Sequence, residues 1–175
     1  MTATRHQLDQ FISTWDLEAK NTLRMLEAIP ADKYDYRPDM AGRSVGELAW
    51  HLAEIDAYMT YGIETGAFDF GMKPPNLERP REVTALAPGY RRVHDEAVTR
   101  VRKLKPADLD RSMKFFTGSD MLVGDILWGA LLHHLIHHRG QLSLMCRLAG
   151  GKSPGLYGPN REETAAMRAA AQAKA

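Results

Sequence analysis

The sequence of 175 residues contains a single cysteine, Cys146, so no disulfide can form within the chain and stability must come from packing. That composition is compatible with a reducing compartment without requiring one. No apolar run approaches the roughly 20 residues that a membrane span needs. The opening Met-Thr-Ala-Thr-Arg-His-Gln lacks the apolar stretch of a secretory leader. Neither sign of charge dominates, since 23 basic and 22 acidic side chains leave a formal net charge of +1. The charges are interspersed and form no basic stripe, so no nucleic-acid partner is expected. Internal repeats are also lacking. The expectation is a cytoplasmic protein, with no membrane segment, forming one domain over 1–175.

What the sequence does contain is helical periodicity. Leu8, Phe11, Ile12, Trp15, Ala19, Leu23, Leu26 and Ile29 recur at steps of three and four, which predicts a helix from about Thr4 to Ile29, stopped by Pro30. Ser44-Val45-Gly46-Glu47 reads as a capping box. It opens a second helix with Leu48, His51, Leu52, Ile55, Tyr58 and Met59 on one face, ending near Gly62 or Gly66. Residues 66–87 read as a long irregular loop, a feature that is often functional. A third helix is expected from near Pro88 to Pro106. The run Ser112–Phe116 reads as extended, without an obvious pairing partner. The fourth helix spans about Leu122 to Ala149 and closes at Gly150-Gly151. Asn160, with Glu163 three residues on, predicts a cap for a last alanine-rich helix reaching about Lys174. One-sided stripes on four long helices imply an all-α four-helix bundle with a short additional C-terminal helix. The long loops make a crossover connection plausible.

Four of the seven histidines lie in His133-His134-Leu135-Ile136-His137-His138. Histidines four apart share a helix face and can meet one metal ion. Two such pairs exist, His134 with His138 and His133 with His137. A count through Leu127, Leu131, His134, His138, Gln141 and Met145 puts the first pair on the apolar seam. A rival count through Ile126, Ala130, His133 and His137 is nearly as good. His51, on the apolar face of helix two, offers a third nitrogen. Three imidazoles suit several divalent transition metals and leave a coordination position open. His6 and His94 fall in charged stretches and read as solvated, as do Glu54 and Asp56. Cys146 reads as a core thiol.

Two segments, Arg43-Ser44-Val45-Gly46-Glu47-Leu48-Ala49-Trp50-His51 and His134-Leu135-Ile136-His137-His138-Arg139-Gly140-Gln141, resemble the DinB-like (DinB/YfiT-like) four-helix-bundle metalloproteins. Leu156-Tyr157-Gly158-Pro159 adds to the likeness, which spans most of the chain. The resemblance implies an up-down-down-up bundle with a long crossover, and His51, His134 and His138 as ligands. It implies zinc or nickel in first place, with iron, manganese or copper as alternatives, and a homodimer. It also implies a small-molecule substrate and a thiol-dependent S-transferase type of reaction, with a low-molecular-weight thiol as cosubstrate. The rival expectations are a metal-dependent hydrolase and a metal-binding stress protein without turnover.

Arg139 is expected to pair with a carboxylate or helix-end carbonyl away from the metal. Gly140 suggests close approach of another helix, and Gln141 a hydrogen bond to a neighbouring histidine. Trp128 and Leu132, off the seam of the fourth helix, suggest surface covered by a second copy.

Overall fold

A computed structural model describes residues 5–173. Helix α1 covers Arg5–Glu27, α2 Val45–Thr65, and α3 Leu86–Arg102. The fourth helix, α4, is continuous over 123–148, and α5 covers Arg161–Gln172. Thr4 and Lys174, expected in the first and last helices, lie outside the described residues. Helix α3 begins two residues before Pro88, because the 3₁₀ turn Val83–Ala85 leads into it. The segment at Ser112 finds its partner in the next few residues. Strands β1 (Ser112–Lys114) and β2 (Asp120–Leu122) form an antiparallel hairpin pairing Met113 with Met121. Its tip carries Phe115 and Phe116.

Inter-helix contacts give the directions. His94 and Arg100 of α3 bond Asp56 and Thr60 of α2, so α2 and α3 run parallel. Parallel neighbours cannot be joined by a tight turn, and the crossover between residues 66 and 82 makes the connection. Phe11 packs on Trp128 and Glu18 binds Arg139, so α1 runs parallel to α4. His94 of α3 bonds Asp16 of α1, while Tyr90, one turn earlier on α3, lies beside Thr22, further along α1, so α3 runs against α1 and the order is up-down-down-up. Helix α2 packs against both α3 and α4, while α1 contacts both of them from the opposite corner. Trp15, Trp50, Leu52, Ile55, Leu86 and Ile126 form the heart of the core, each at most 2% exposed.

Ser44 caps α2 as expected: its Oγ accepts from Glu47 N at 3.2 Å, and Glu47 Oε2 accepts from Ser44 N at 2.9 Å. The Arg37 guanidinium, 2.8 Å from Glu47, ties the preceding linker to that cap and holds the Glu47 carboxyl below its usual range. Gly150, at φ +87°, supplies the left-handed residue that ends α4.

Helix α4 is not uniformly α-helical. Ile126–His133 is π-helical and His134–Leu148 is α-helical. A π turn accommodates extra residues, so the sequence count drifts against the helix surface. The buried stripe accordingly shifts from Leu127 and Leu131 to Leu132, Leu135, Arg139, Leu142 and Cys146. That shift leaves His134, His138, Gln141 and Met145 on a flank beside the core stripe.

Two expectations are corrected here. Leu132 is 1% exposed and is covered within the chain, whereas Trp128 packs edge-on against Phe11 and keeps part of its surface exposed. A Cβ on Gly140 would meet nothing within 4 Å, so no close helix approach explains that glycine.

Candidate metal centre

The capped start of α2 places His51 near its first turns, and the α-helical half of α4 presents His134 and His138 one turn apart toward it. Ring nitrogens of the three converge, all within 4.8 Å of one another. His134 Nε2 and His138 Nε2 are 2.8 Å apart, and the His51 ring centroid is 4.9 Å from that of His138. No other group of three metal-binding side chains converges in this way among the described residues. His133 and His137 are exposed and do not join the cluster.

The far nitrogen of two rings is held by an acceptor. His51 Nδ1 lies 2.9 Å from Glu54 Oε2, and His138 Nδ1 lies 2.7 Å from Gln141 Oε1. Both partners sit three residues downstream on the same helix, the offset that brings side chains together. An oxygen acceptor at Nδ1 favours the tautomer with the proton there, which leaves the Nε2 lone pair facing inward. Lone pairs 2.8 Å apart repel unless a proton or a cation lies between them. Nitrogens at about 2.1 Å around a tetrahedral ion would sit about 3.4 Å apart, so small side-chain shifts would admit one. The donor set therefore fits a divalent transition metal.

The electrostatics agree with neutral imidazoles. Burial pushes His138 down to about 4, aided by the neighbouring rings of His51 and His134 and opposed by the bond to Gln141. Burial also lowers His134, followed by the proximity of His51, while the Ala130 carbonyl works against both. Neutral rings are the form that ligates.

The structure corrects three readings of solvated groups. Glu54 is held against His51. Asp56 is wholly buried, accepting from Trp15 Nε1 at 3.1 Å and from His94 Nδ1 at 2.9 Å. His94 is 7% exposed, with Asp16 at 3.3 Å from its second nitrogen. Burial opposes the charge on His94, but the two aspartates outweigh it and raise its pKa. The i,i+3 spacing could have revealed Glu54. No local signal reveals Asp56 and His94, which meet across two helices.

Arg139 pairs as expected and does not touch the triad. It is 1% exposed, binds the Glu18 carboxylate and the Tyr157 hydroxyl, and donates to Glu18 O at 2.7 Å. Tyr157 donates to Glu18 at 2.6 Å, and burial, then that carboxylate, raise its pKa to about 12. This cluster ties the segment before α5 to α1 and α4.

A crossover bundle with three converging histidines between its second and fourth helices is the class that this fold and site define. The profile of the DinB family matches residues 1–173, and the chain belongs to that family. It is similar to YrdA, an uncharacterized protein of Bacillus subtilis, at 30% identity over 163 residues covering 90% of this chain and 92% of YrdA. A DinB-like crystal structure from Bacillus cereus superposes with a TM-score of 0.71 at 25% identity, covering 90% of this chain and all of that one. A second from Bacillus subtilis, YjoA, gives 0.67 at 25% identity over 87% and 99% of the two chains.

Proposed function

We propose that the protein is a metal-dependent enzyme of the thiol S-transferase type, acting on small molecules in the cytoplasm as a homodimer, with His51, His134 and His138 as the ligands of one divalent ion. The observation that carries this reading is the convergence of the three inward nitrogens beside an open cavity. A purely structural or storage site has no use for an opening at the ligands, since closed sites fill every position with protein. Zinc and nickel are the first choices, with iron, manganese and copper as alternatives.

When bound, a divalent ion held by three neutral ligands keeps its full charge and lowers the pKa of a coordinating thiol, so that a thiolate persists at neutral pH. Glu54 and Gln141 hold their histidines in orientation. The transfer itself joins the thiol sulfur to an electrophilic carbon, with the leaving group departing with the bonding pair.

A hydrolytic reading keeps one observation in its favour, because Glu54 also lines the cavity and is about one-third exposed. Its Oε2 already accepts from His51, which favours a positioning role over that of a general base. The test is metal analysis of the purified protein and its His138→Ala variant, followed by a screen of cysteine, glutathione and related thiols against a chloronitrobenzene. One ion per chain, lost in the variant, and thiol-dependent conjugation are expected. Full metal content in His138→Ala would reject the ligand set. Metal-dependent ester cleavage without conjugation would select the hydrolase.

A further inference from the structure

A cavity of about 340 Å³ opens between α2, the crossover loop and the hairpin tip, with His51 and His134 on its wall. That volume lies at the small end of the range for small-molecule sites, roughly 300–1,000 Å³. Ile55 and Met59 of α2 make part of its surface apolar, and Phe116 extends it from the hairpin. The charged residues lining it are Glu54 and Asp69, and neither lysine nor arginine is among them.

The aromatic rings here form a row. Phe68 is buried over Gly62, where a Cβ would run into its ring. Phe116 stands 5.3 Å from Phe68 and 5.3 Å from Phe70. Phe70 is 91% exposed, yet it lines the cavity. A large ring left in water at the mouth of an apolar cavity is a surface that a ligand can cover.

We propose that this cavity receives the ring-sized apolar part of the substrate, that Phe70 closes over it, and that Glu54 and Asp69 make the metal-free cavity prefer an uncharged or cationic ring to one bearing an anionic substituent. This deepens the reading of the triad as the reaction centre and names the class of molecule it takes. An apolar body gains from the walls, and aromatic faces attract a cation. In the metal-free protein a carboxylate faces Glu54 and Asp69 with no basic residue on the cavity wall to pair with it; an ion at the triad would add its own attraction at the histidine end only.

The test uses methionine-methyl NMR of the full chain, with Met59 assigned by Met59→Leu, and three probes of similar size: benzyl alcohol, benzylamine and benzoate. In the metal-free protein, the alcohol and the amine should shift the Met59 methyl at millimolar concentrations, whereas benzoate should leave it in place. Phe70→Ala, at an exposed position where folding is not at risk, should weaken both binders two- to tenfold. Asp69→Asn should let benzoate in. Benzoate binding as well as benzylamine in the unmodified protein would overturn the proposal. So would a Met59 signal unmoved by all three, even where metal analysis places the ion at the triad. Selective binding in a protein that takes up no metal would uphold the cavity and remove the triad reading instead.

Discussion

Gln141 Oε1 lies 2.7 Å from His138 Nδ1, one turn further along α4, and so fixes which nitrogen of that ring faces His51. Gln141→Leu keeps the size of the side chain but removes the acceptor. Metal affinity should fall about 10- to 100-fold, the usual cost of losing such a support. Helical circular dichroism should not change, because Gln141 is exposed. A competition titration with a chromophoric chelator checks this. Unchanged affinity would leave Gln141 with a packing role alone.

Ser44→Ala removes one half of the capping box that starts α2 and delivers His51. The loss should be about 1 kcal/mol in urea unfolding. Ser44→Asp should keep most of the stability, since a carboxylate also accepts from Glu47 N. An alanine variant as stable as the parent would show that the Arg37–Glu47 pair holds the helix start without the serine.

Local signals of this kind explain how much could be read from the sequence. The caps at Ser44 and Asn160, the glycine stop of α4 and the stripe of α1 act over a few residues, and each appears where it was expected. The histidine pair was legible for the same reason, as an i,i+4 spacing. Periodicity separated His134 and His138 from His133 and His137 only weakly, and the resemblance of the motif made the choice. The π-helical stretch Ile126–His133 rotates the later residues against any regular count, and no residue in Ile-Leu-Trp-Gly-Ala-Leu-Leu-His announces it. The bond between Asp56 and His94 joins residues 38 apart across two helices. A charged neighbourhood in sequence says nothing about which side chain turns inward. The aromatic cavity is equally non-local, since its rings come from a crossover loop and a hairpin tip.

The pKa values of His94 and His138 should be displaced in opposite directions in the metal-free protein. His94, raised by Asp56 and Asp16 against burial, should have its midpoint above the ordinary value of about 6.5. Its folded form binds the proton more tightly than the unfolded form. The stability it contributes is therefore present below about 6.5 and is lost as pH rises through the raised pKa. His138, lowered to about 4, holds fewer protons folded than unfolded between about 4 and 6.5. Its contribution runs the other way, and stability falls as pH drops through that window. Ring-proton NMR across pH 4 to 9 resolves both. A His94 midpoint below that of a model imidazole would contradict the buried aspartate pairing.

Homodimer formation should show as twice the chain mass of 19.6 kDa in light scattering at micromolar concentration. With Leu132 covered inside the protomer and Trp128 only partly exposed, the most exposed large apolar side chains on α4 are Leu144 and Leu148. They lie four residues apart, 62% and 55% exposed. Leu148→Glu should then shift the mass toward the monomer while leaving thermal stability of the bundle nearly unchanged. A monomer mass for the parent protein would end the dimer reading, and a dimeric Leu148→Glu would move the interface elsewhere.

Arg139→Ala should be strongly destabilising. Its guanidinium is buried against the carboxylate of Glu18, and Thr22 Oγ1 accepts from it at 3.2 Å. Removing the cation leaves Glu18, itself 6% exposed, as an uncompensated buried charge. Loss of one partner of such a pair costs about 3–5 kcal/mol. Arg139→Lys should recover only part of this, because an ammonium cannot serve the carboxylate, the hydroxyls and the carbonyl in the geometry of a planar fork. The double variant Arg139→Met with Glu18→Leu should regain most of the stability, since apolar replacement of both partners is often neutral. Tyr157 would then lose both partners of its hydroxyl, and the segment before α5 should become more accessible to protease. Urea denaturation of the four proteins, with limited proteolysis as the second readout, measures the coupling. A single Arg139→Ala cost below about 1 kcal/mol would mean that the pair is hydrated in solution and does not hold α4 against α1.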